Sequence, residues 1–383
     1  MNILVVTPYP PVLHLHGGGV RMFHNIRILA QRHNVRVISF VENDEEAGLL
    51  QSLEPFCETV TAVRRIADFG PHWFSLMPFT IREFGTPAMH KAVDDAIRAK
   101  KVDVIQCEYL QMAHYRRPGV FSILTAHEAY SANAYRDFQN APEAVDKARF
   151  FSRWMAMLYY EISACKRFDR VVTMTQDDAR YLQSYANIAN KANIRDIPIG
   201  IDTDYFQPPA DSPGRPLEAL FIGNFRHTPN VEAAAFLLEE IAPHFPYMQF
   251  VIAGSYVPDT LPKPPNAVFP GYVPDVRQVF HSASTIFAAP LFSGTGQRVK
   301  LLEAFAMGSP VITTTVGAAG FPIVHGRQAI IADTADAFRV AIFALIGSPG
   351  FRVQMGSEGR QMIVNHFNWD RLGEKFLDLV EGR

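Results

Sequence analysis

The stretch Thr285-Ile-Phe-Ala-Ala-Pro-Leu-Phe-Ser-Gly-Thr-Gly-Gln-Arg-Val-Lys-Leu-Leu-Glu-Ala-Phe-Ala-Met-Gly-Ser-Pro-Val-Ile-Thr-Thr314 decides the fold class of this chain. Thr285–Pro290 is a short apolar run, the composition of a buried strand. Gly294 and Gly296 follow as a tight loop of bare backbone. Val299, Leu302, Phe305 and Ala306 then recur at helical spacing and give a helix one core-facing stripe. Gly308 stands where a helix ends in the left-handed conformation, and Pro310 forbids continuation. Val311–Thr314 is the next strand. Strand, glycine loop, helix and strand together make the repeating unit of a parallel sheet. The loop exposes backbone N–H groups at a helix N-terminus, where the dipole favours anions. Arg298 and Lys300 add positive charge there. Glu303, about one turn further in, can accept hydrogen bonds from two neighbouring ribose hydroxyls. On these residues alone, a glycine turn beside a solvated basic patch fits equally well.

A chain of 383 residues is long for one domain and comfortable for two. Its 48% hydrophobic and 19% charged content describes a globular protein. A net charge of −2 gives no reason to expect a nucleic-acid partner. Cys57, Cys107 and Cys165 are widely spaced, form no metal-type pair and sit among apolar residues. They read as buried free thiols in a reducing compartment. Asn2–Thr7 enters a strand directly, with no signal-peptide pattern, and no stretch approaches the roughly 20 apolar residues of a membrane span. The expected location is cytoplasmic.

The first half alternates strands and helices. Strand Asn2–Thr7 is followed by His14-Leu-His-Gly-Gly-Gly19 and a helix from about Val20, with Val20, Phe23, Ile26 and Leu29 or Ala30 on its core face. A glycine-rich segment at that place can bring backbone amides close to a phosphate or sugar. Strands are expected at Val35–Phe40, Thr59–Val63, Val102–Cys107, Ser122–Ala126, Arg170–Thr175 and Ile194–Ile199. Glu108 and His127-Glu128 fall at C-terminal strand ends, the positions that line the ligand crevice of an open α/β sheet. Residues 68–84 mix aromatics with prolines and read as an irregular flap, with an acceptor or membrane-surface patch as the alternative. Arg149–Asp169 reads as one long helix, core rather than interfacial.

Ile197-Pro-Ile-Gly-Ile-Asp-Thr-Asp-Tyr-Phe-Gln-Pro208 leads into a proline-rich linker. The second half repeats the alternation, with strands at Leu217–Gly223, Phe250–Gly254 and Val268–Gly271. A helix from about Val231 carries Ala234, Leu237, Leu238 and Ile241. Asp202 and Asp204 have the spacing of a metal-binding carboxylate pair. They sit at a domain boundary, far from the basic loop, and are not read as metal ligands.

The loop-to-helix words Gly294-Thr-Gly-Gln-Arg-Val-Lys-Leu-Leu-Glu-Ala-Phe-Ala-Met-Gly-Ser-Pro-Val-Ile-Thr313 resemble the donor segment of retaining GT-B glycosyltransferases of the "group 1" family. So do the hinge words above, Phe221-Ile-Gly-Asn-Phe-Arg-His-Thr-Pro-Asn230, Val251-Ile-Ala-Gly254 and Gly271-Tyr-Val-Pro-Asp-Val-Arg277. The family shows two glutamates separated by seven residues; Glu303 matches the second, and Thr295 stands in place of the first. Many members also carry an arginine and a lysine before the first helix of the second domain. Here Asn224 replaces that arginine, and Arg226 lies close enough to substitute.

The resemblance implies an α/β chain of two Rossmann-like doubly wound domains facing a cleft. Residues 1–204 form the acceptor-side domain, 205–365 the donor domain, and 366–383 a helix crossing back to the first. It implies metal-independent, retaining transfer from a nucleotide-sugar, a substrate and not a cofactor, to a glycan, lipid-linked or small-molecule acceptor. His127, Arg226 and Lys300 take the catalytic roles. Gly18, Gly19, Gly223, Arg226, Gly294, Thr295, Gly296, Arg298, Lys300, Leu302 and Glu303 form the donor site. His16, Glu108 and Glu128 are candidates on the acceptor side. No metal site and no nucleic-acid partner are expected, and a peripheral contact at the inner membrane face stays open. A catalytically silent sugar-nucleotide binder and a GT-B nucleotide-sugar epimerase remain the alternatives.

Overall fold

The computed structural model describes residues 1–13, 17–66, 77–185, 193–209, 215–294 and 297–382. Contacts divide them into two compact units: Met1–Pro198 with Gly373–Arg383, and Ile199–Leu372.

The first unit is built on a parallel sheet of β1 (Asn2–Thr7), β2 (Asn34–Val41), β3 (Thr59–Arg64), β4 (Val104–Glu108), β5 (Phe121–Ala126), β6 (Arg170–Thr173) and β7 (Ile194–Asp196). Their spatial order is β3-β2-β1-β4-β5-β6-β7. The central strands β1, β4 and β5 are buried along almost their whole length because helices cover a parallel sheet, whereas β3 at the edge is mostly exposed. Strand order reverses between β1 and β4, so the crevice beyond their C-terminal ends is the ligand position that this topology creates. The expected elements are present with shifted ends: β4 starts at Val104, and the long helix starts earlier, at Ala144. Gly17–Gly19 form the first turn of helix Gly17–Ala30, not a loop before it. That helix is buried over most of its circumference, Arg21 included, while Val20 is only half-buried. Of the flap expected at 68–84, residues 68–76 lie outside the described residues, and Phe79–Arg82 form a short helix.

The second unit has β8 (Glu218–Asn224), β9 (Gln249–Ser255), β10 (Ala267–Gly271), β11 (Thr285–Ala289), β12 (Val311–Thr313) and β13 (Ile330–Ile331). The order is β10-β9-β8-β11-β12-β13, again parallel throughout. Here the order reverses between β8 and β11. Phe221, Phe250, Phe280, Phe287, Phe305 and Phe338 fill its core. Helix Thr228–Phe236 passes into a π-helical turn at Leu237–Ile241. Helix Val299–Ala306 buries Leu301 and Ala304 as well as Leu302, Phe305 and Ala306, a wider face than the expected stripe, and leaves Val299 half-buried. Gly308 closes the helix at φ +68, where a Cβ would also come within 3.1 Å of Pro208.

The division between units differs from the sequence expectation at both ends. Ile199–Asp204 join the second unit because Gln297 Oε1 accepts from Ile199 N and Phe367 O from Ile201 N. The Trp369 indole covers Gly200 so closely that a Cβ there would fall 2.6 Å from the ring. Helix Trp369–Val380 therefore begins in the second unit, and its part from Gly373 onward belongs to the first.

Candidate active site

In the second unit the reversal point is lined by β8, β11 and the segments that leave them. Gly223 and Gly254 lie side by side in the β8–β9 register, and a Cβ on Gly254 (φ +140) would fall 1.8 Å from Gly223 O. That approach demands glycine. Beyond β8, the Asn224 side chain accepts from Arg226 N at 3.0 Å and turns the chain. The exposed Arg226 guanidinium then lies 3.7 Å over the Tyr256 ring. A cavity of 610 Å³ opens beside Tyr256, lined by Gly254, Ser255, Val257, Gly271 and Tyr272.

After β11, Gly294 adopts φ +101, and the Arg298 guanidinium sits 3.4 Å from where a Cβ would be. Lys300 and Glu303 follow on helix Val299–Ala306, both half-buried. The Lys300 ammonium donates to Asn230 Oδ1 and lies 4.6 Å from the Phe221 ring centre. Asn230 in turn donates to Asn224 O at 2.7 Å, tying the β8 loop to this helix. Burial, reinforced by the Arg298 charge and opposed by Glu303, brings the Lys300 ammonium down to about 7. Burial, opposed by Lys300, pushes the Glu303 carboxyl up to about 7. An anion placed against this helix would favour the charged lysine, so the arrangement is suited to a diphosphate.

In the first unit the reversal point gathers a different set. Glu108 ends β4 and is fully buried. Its Oε2 lies 2.7 Å from Nε2 of His127, the first residue after β5. Burial lowers the affinity of the imidazole for a proton, Glu108 raises it, and Arg21 lowers it further; the net direction is down. Tyr109, at φ +68, stacks on the His127 ring with centroids 3.6 Å apart and planes 8° from parallel. Tyr9 meets the other ring edge-on at 5.2 Å. Gly18 is required by these phenols, since a Cβ would fall 1.9 Å from Tyr109 Oη and 2.6 Å from Tyr9 Oη. Gly19 packs against Val12 O, 2.8 Å from its would-be Cβ. Glu128 accepts from Asn133 Nδ2 at 2.6 Å.

Residues 16–205 match the family described as Glycosyltransferase Family 4, and residues 216–348 match Glycosyl transferases group 1; together these span most of the chain. This chain belongs to the group 1 glycosyltransferases. A curated relative is the GDP-mannose-dependent alpha-(1-6)-phosphatidylinositol monomannoside mannosyltransferase of Mycolicibacterium smegmatis. It is 25% identical over 257 residues, 60% of this chain and 67% of that protein. The protein of the same name from Mycobacterium tuberculosis is 30% identical over 120 residues, and the match spans only 31% of its length. Among solved structures, sucrose-phosphate synthase from Thermosynechococcus elongatus superposes with a TM-score of 0.76 at 17% identity, covering 100% of this chain and 98% of that one. Anabaena HepE in complex with UDP gives 0.71 at 13% identity, with 100% of both chains covered. These two likenesses are of fold.

Within this glycosyltransferase, Gly223, Arg226, Gly294, Arg298, Lys300 and Glu303 come together around one reversal point, and Gly18, Glu108 and His127 around the other. Two expectations change. Leu302 is fully buried in the core, so only its backbone remains available to a donor. Glu108 is sealed beneath His127 and does not face an acceptor. His16, Thr295 and Gly296 lie outside the described residues. Sequence reasoning missed Asn230, which anchors Lys300, and the set Arg21, Gln106 and Tyr109 around Glu108 and His127. Gln106-x-Glu108, two polar residues on one face of a buried strand, was the available signal.

Proposed function

We propose that this glycosyltransferase moves a hexose from a nucleoside-diphosphate sugar to a hydroxyl of a glycan or glycolipid, without a metal and with retention of configuration. The observation that carries the reading is the second unit's reversal point, where Arg298 faces Gly294 and the next helix carries Lys300 and Glu303. The bond to be broken leaves negative charge on the diphosphate. Preorganised cations and backbone donors are the groups that stabilise it. Arg298 and Lys300 take that load, Arg226 assists from the Tyr256 side, Glu303 accepts from the ribose hydroxyls, and the 610 Å³ cavity has room for the nucleoside. His127, at the crevice of the first unit, meets the transferred sugar.

Asp202 supports the metal-free reading. Its Oδ1 caps a turn, accepting from Asp204 N at 3.0 Å and Tyr205 N at 2.9 Å, so it is occupied by the chain itself. Retention is supported by the alpha linkage in the relatives' names together with the alpha configuration of GDP-mannose, and GDP-mannose is the first donor to try. No helix among the described residues is long and apolar enough to cross a membrane. Exposed Phe151, Met155 and Tyr159 beside Arg149 and Arg153 support peripheral contact with the surface that would carry a glycolipid acceptor.

The deciding experiment incubates the purified chain with UDP-, GDP- and ADP-sugars in excess EDTA, with and without glycan and glycolipid acceptors. Release of nucleoside diphosphate and an alpha-linked product by NMR is the expected result. Nucleotide-sugar binding with no turnover of any donor would make the chain a silent binder.

A further inference from the structure

The contacts of Glu108 go beyond what holding a strand end requires. The carboxylate is fully buried at the end of β4, and its neighbours engage both oxygens. Gln106 Nε2, two residues earlier on the same strand face, donates to Oε1, and Oε2 faces His127 Nε2 at 2.7 Å. Arg21 brings a positive charge close enough to interact with Glu108 while its own Nη1 holds Ile197 O at 2.6 Å. The parallel register sets Glu108 opposite Thr125, which brings His127 just past the end of β5 within its reach. Tyr109 is driven into a backbone conformation rare for a bulky residue, and its ring clamps one face of the imidazole. An isolated strand end needs none of this.

An ionised carboxylate only accepts hydrogen bonds, so the histidine nitrogen facing it carries the proton. Burial, with the Arg21 charge, disfavours the imidazolium more than Glu108 favours it, which leaves the neutral ring. In that ring Nδ1 is a bare acceptor. Nδ1 makes no hydrogen bond among the described residues.

We propose that Glu108 is a positioning residue: it fixes His127 as the Nε2–H tautomer, with Tyr109 holding the ring plane, so that Nδ1 accepts a hydrogen bond from a hydroxyl of the transferred sugar. This rests on the reading that His127 meets that sugar. The proton stays on Nε2 throughout, and Glu108 touches no substrate. Gln106 serves the same end by donating to Oε1 and so fixing the orientation of the Glu108 carboxylate.

The test has two arms. In the first, nitrogen-15 NMR of histidine-labelled protein identifies His127 by comparison with His127→Gln and reads which ring nitrogen is protonated, with no substrate present. Protonated Nε2 and bare Nδ1 are expected. Protonated Nδ1, or an even mixture, overturns the proposal whatever the activity. In the second, Glu108→Gln replaces an obligate acceptor by an amide that can present either its oxygen or its N–H to the ring. It should bring the Nδ1–H tautomer into the spectrum. It should also lower kcat about 10- to 100-fold, the usual cost of losing a group that orients a histidine, with donor KM changed less than about threefold. In a His127→Ala background the same substitution should have no further effect on kcat. Additive losses would show that Glu108 is merely structural and refute the proposal. If Glu108→Gln does not fold, the native spectrum still decides. The expected tautomer together with full activity in His127→Ala would instead remove the reading that His127 meets the sugar, and the proposal with it.

Discussion

Replacing Lys300 by Met removes one ammonium and keeps the apolar stem against Phe221. In the native protein the ammonium donates to Asn230 Oδ1 and lies 4.6 Å from the Phe221 ring centre. Asn230 is itself buried, so its carbonyl would lose a partner at a cost of about 1–3 kcal/mol. Lost attraction to the ring adds about 0.5–2 kcal/mol. Removing a buried charge works the other way, because its desolvation disappears. The variant should therefore fold and melt only several degrees lower, since each kcal/mol shifts Tm by about 2–4 °C in units of this size. Activity should fall much further. A direct contact with the leaving diphosphate contributes about 2–4 kcal/mol at the transition state. That is a loss of about 30- to 1000-fold in kcat/KM.

The pH dependence separates this from simple damage. An ordinary lysine stays charged far above neutrality, but burial and Arg298 bring Lys300 to about 7. Below that value the unliganded enzyme already holds the proton. Above it, binding a diphosphate must take up a proton, so the Lys300 contribution to donor affinity should weaken as pH rises through about 7, by up to roughly tenfold per unit, while Glu303, pushed up to about 7 and needed as a carboxylate for the ribose, opposes it over the same range. The Met variant should lose the Lys300 fall and keep only the rise in affinity that Glu303 ionisation gives. The assay is donor affinity and kcat/KM between pH 6 and 9, with thermal melts as control. A Met variant with kcat/KM within threefold of native and the same pH slope would refute the role given to Lys300.

Glu303→Gln should weaken nucleoside-diphosphate binding by about tenfold in calorimetry, because an amide replaces the carboxylate that accepts from the ribose, while Tm stays near native; unchanged binding would remove Glu303 from the donor site. Excess EDTA should leave turnover unchanged, and the double variant Asp202→Asn with Asp204→Asn should cost stability and little activity. Reversible loss of activity in EDTA, together with a dead double variant, would instead place a metal in the mechanism. Gly254→Ala should lose more than about 3 kcal/mol of stability or fail to fold, since its methyl would lie 1.8 Å from Gly223 O at φ +140. A soluble variant with an unchanged melt would mean that the β8–β9 approach is looser than described.

Much of the fold was legible in the sequence because each element announces itself locally. Apolar runs marked β1, β4, β8 and β11, helical spacing marked the helix after Gly294, and Gly308 with Pro310 marked its end. The positive φ at Gly294 and Gly308 is a backbone need that only glycine meets without cost, so it left a trace in the residue type. The pairing of Glu108 with His127 left none. It depends on which strands are neighbours and in what register, and the stretch between the two, 19 positions apart, carries no periodicity that reports it. The same holds for Lys300 and Asn230, 70 residues apart, and for Tyr109, whose strained backbone makes sense only with the His127 ring beneath it. Leu302 carried two readings, a place in the helix's core stripe and a place in the donor set; its burial bears out the first and leaves only its backbone for the second. Periodicity reports how a segment meets its own surroundings, whereas a site is assembled by contacts between segments, and those are decided only when the sheet has formed.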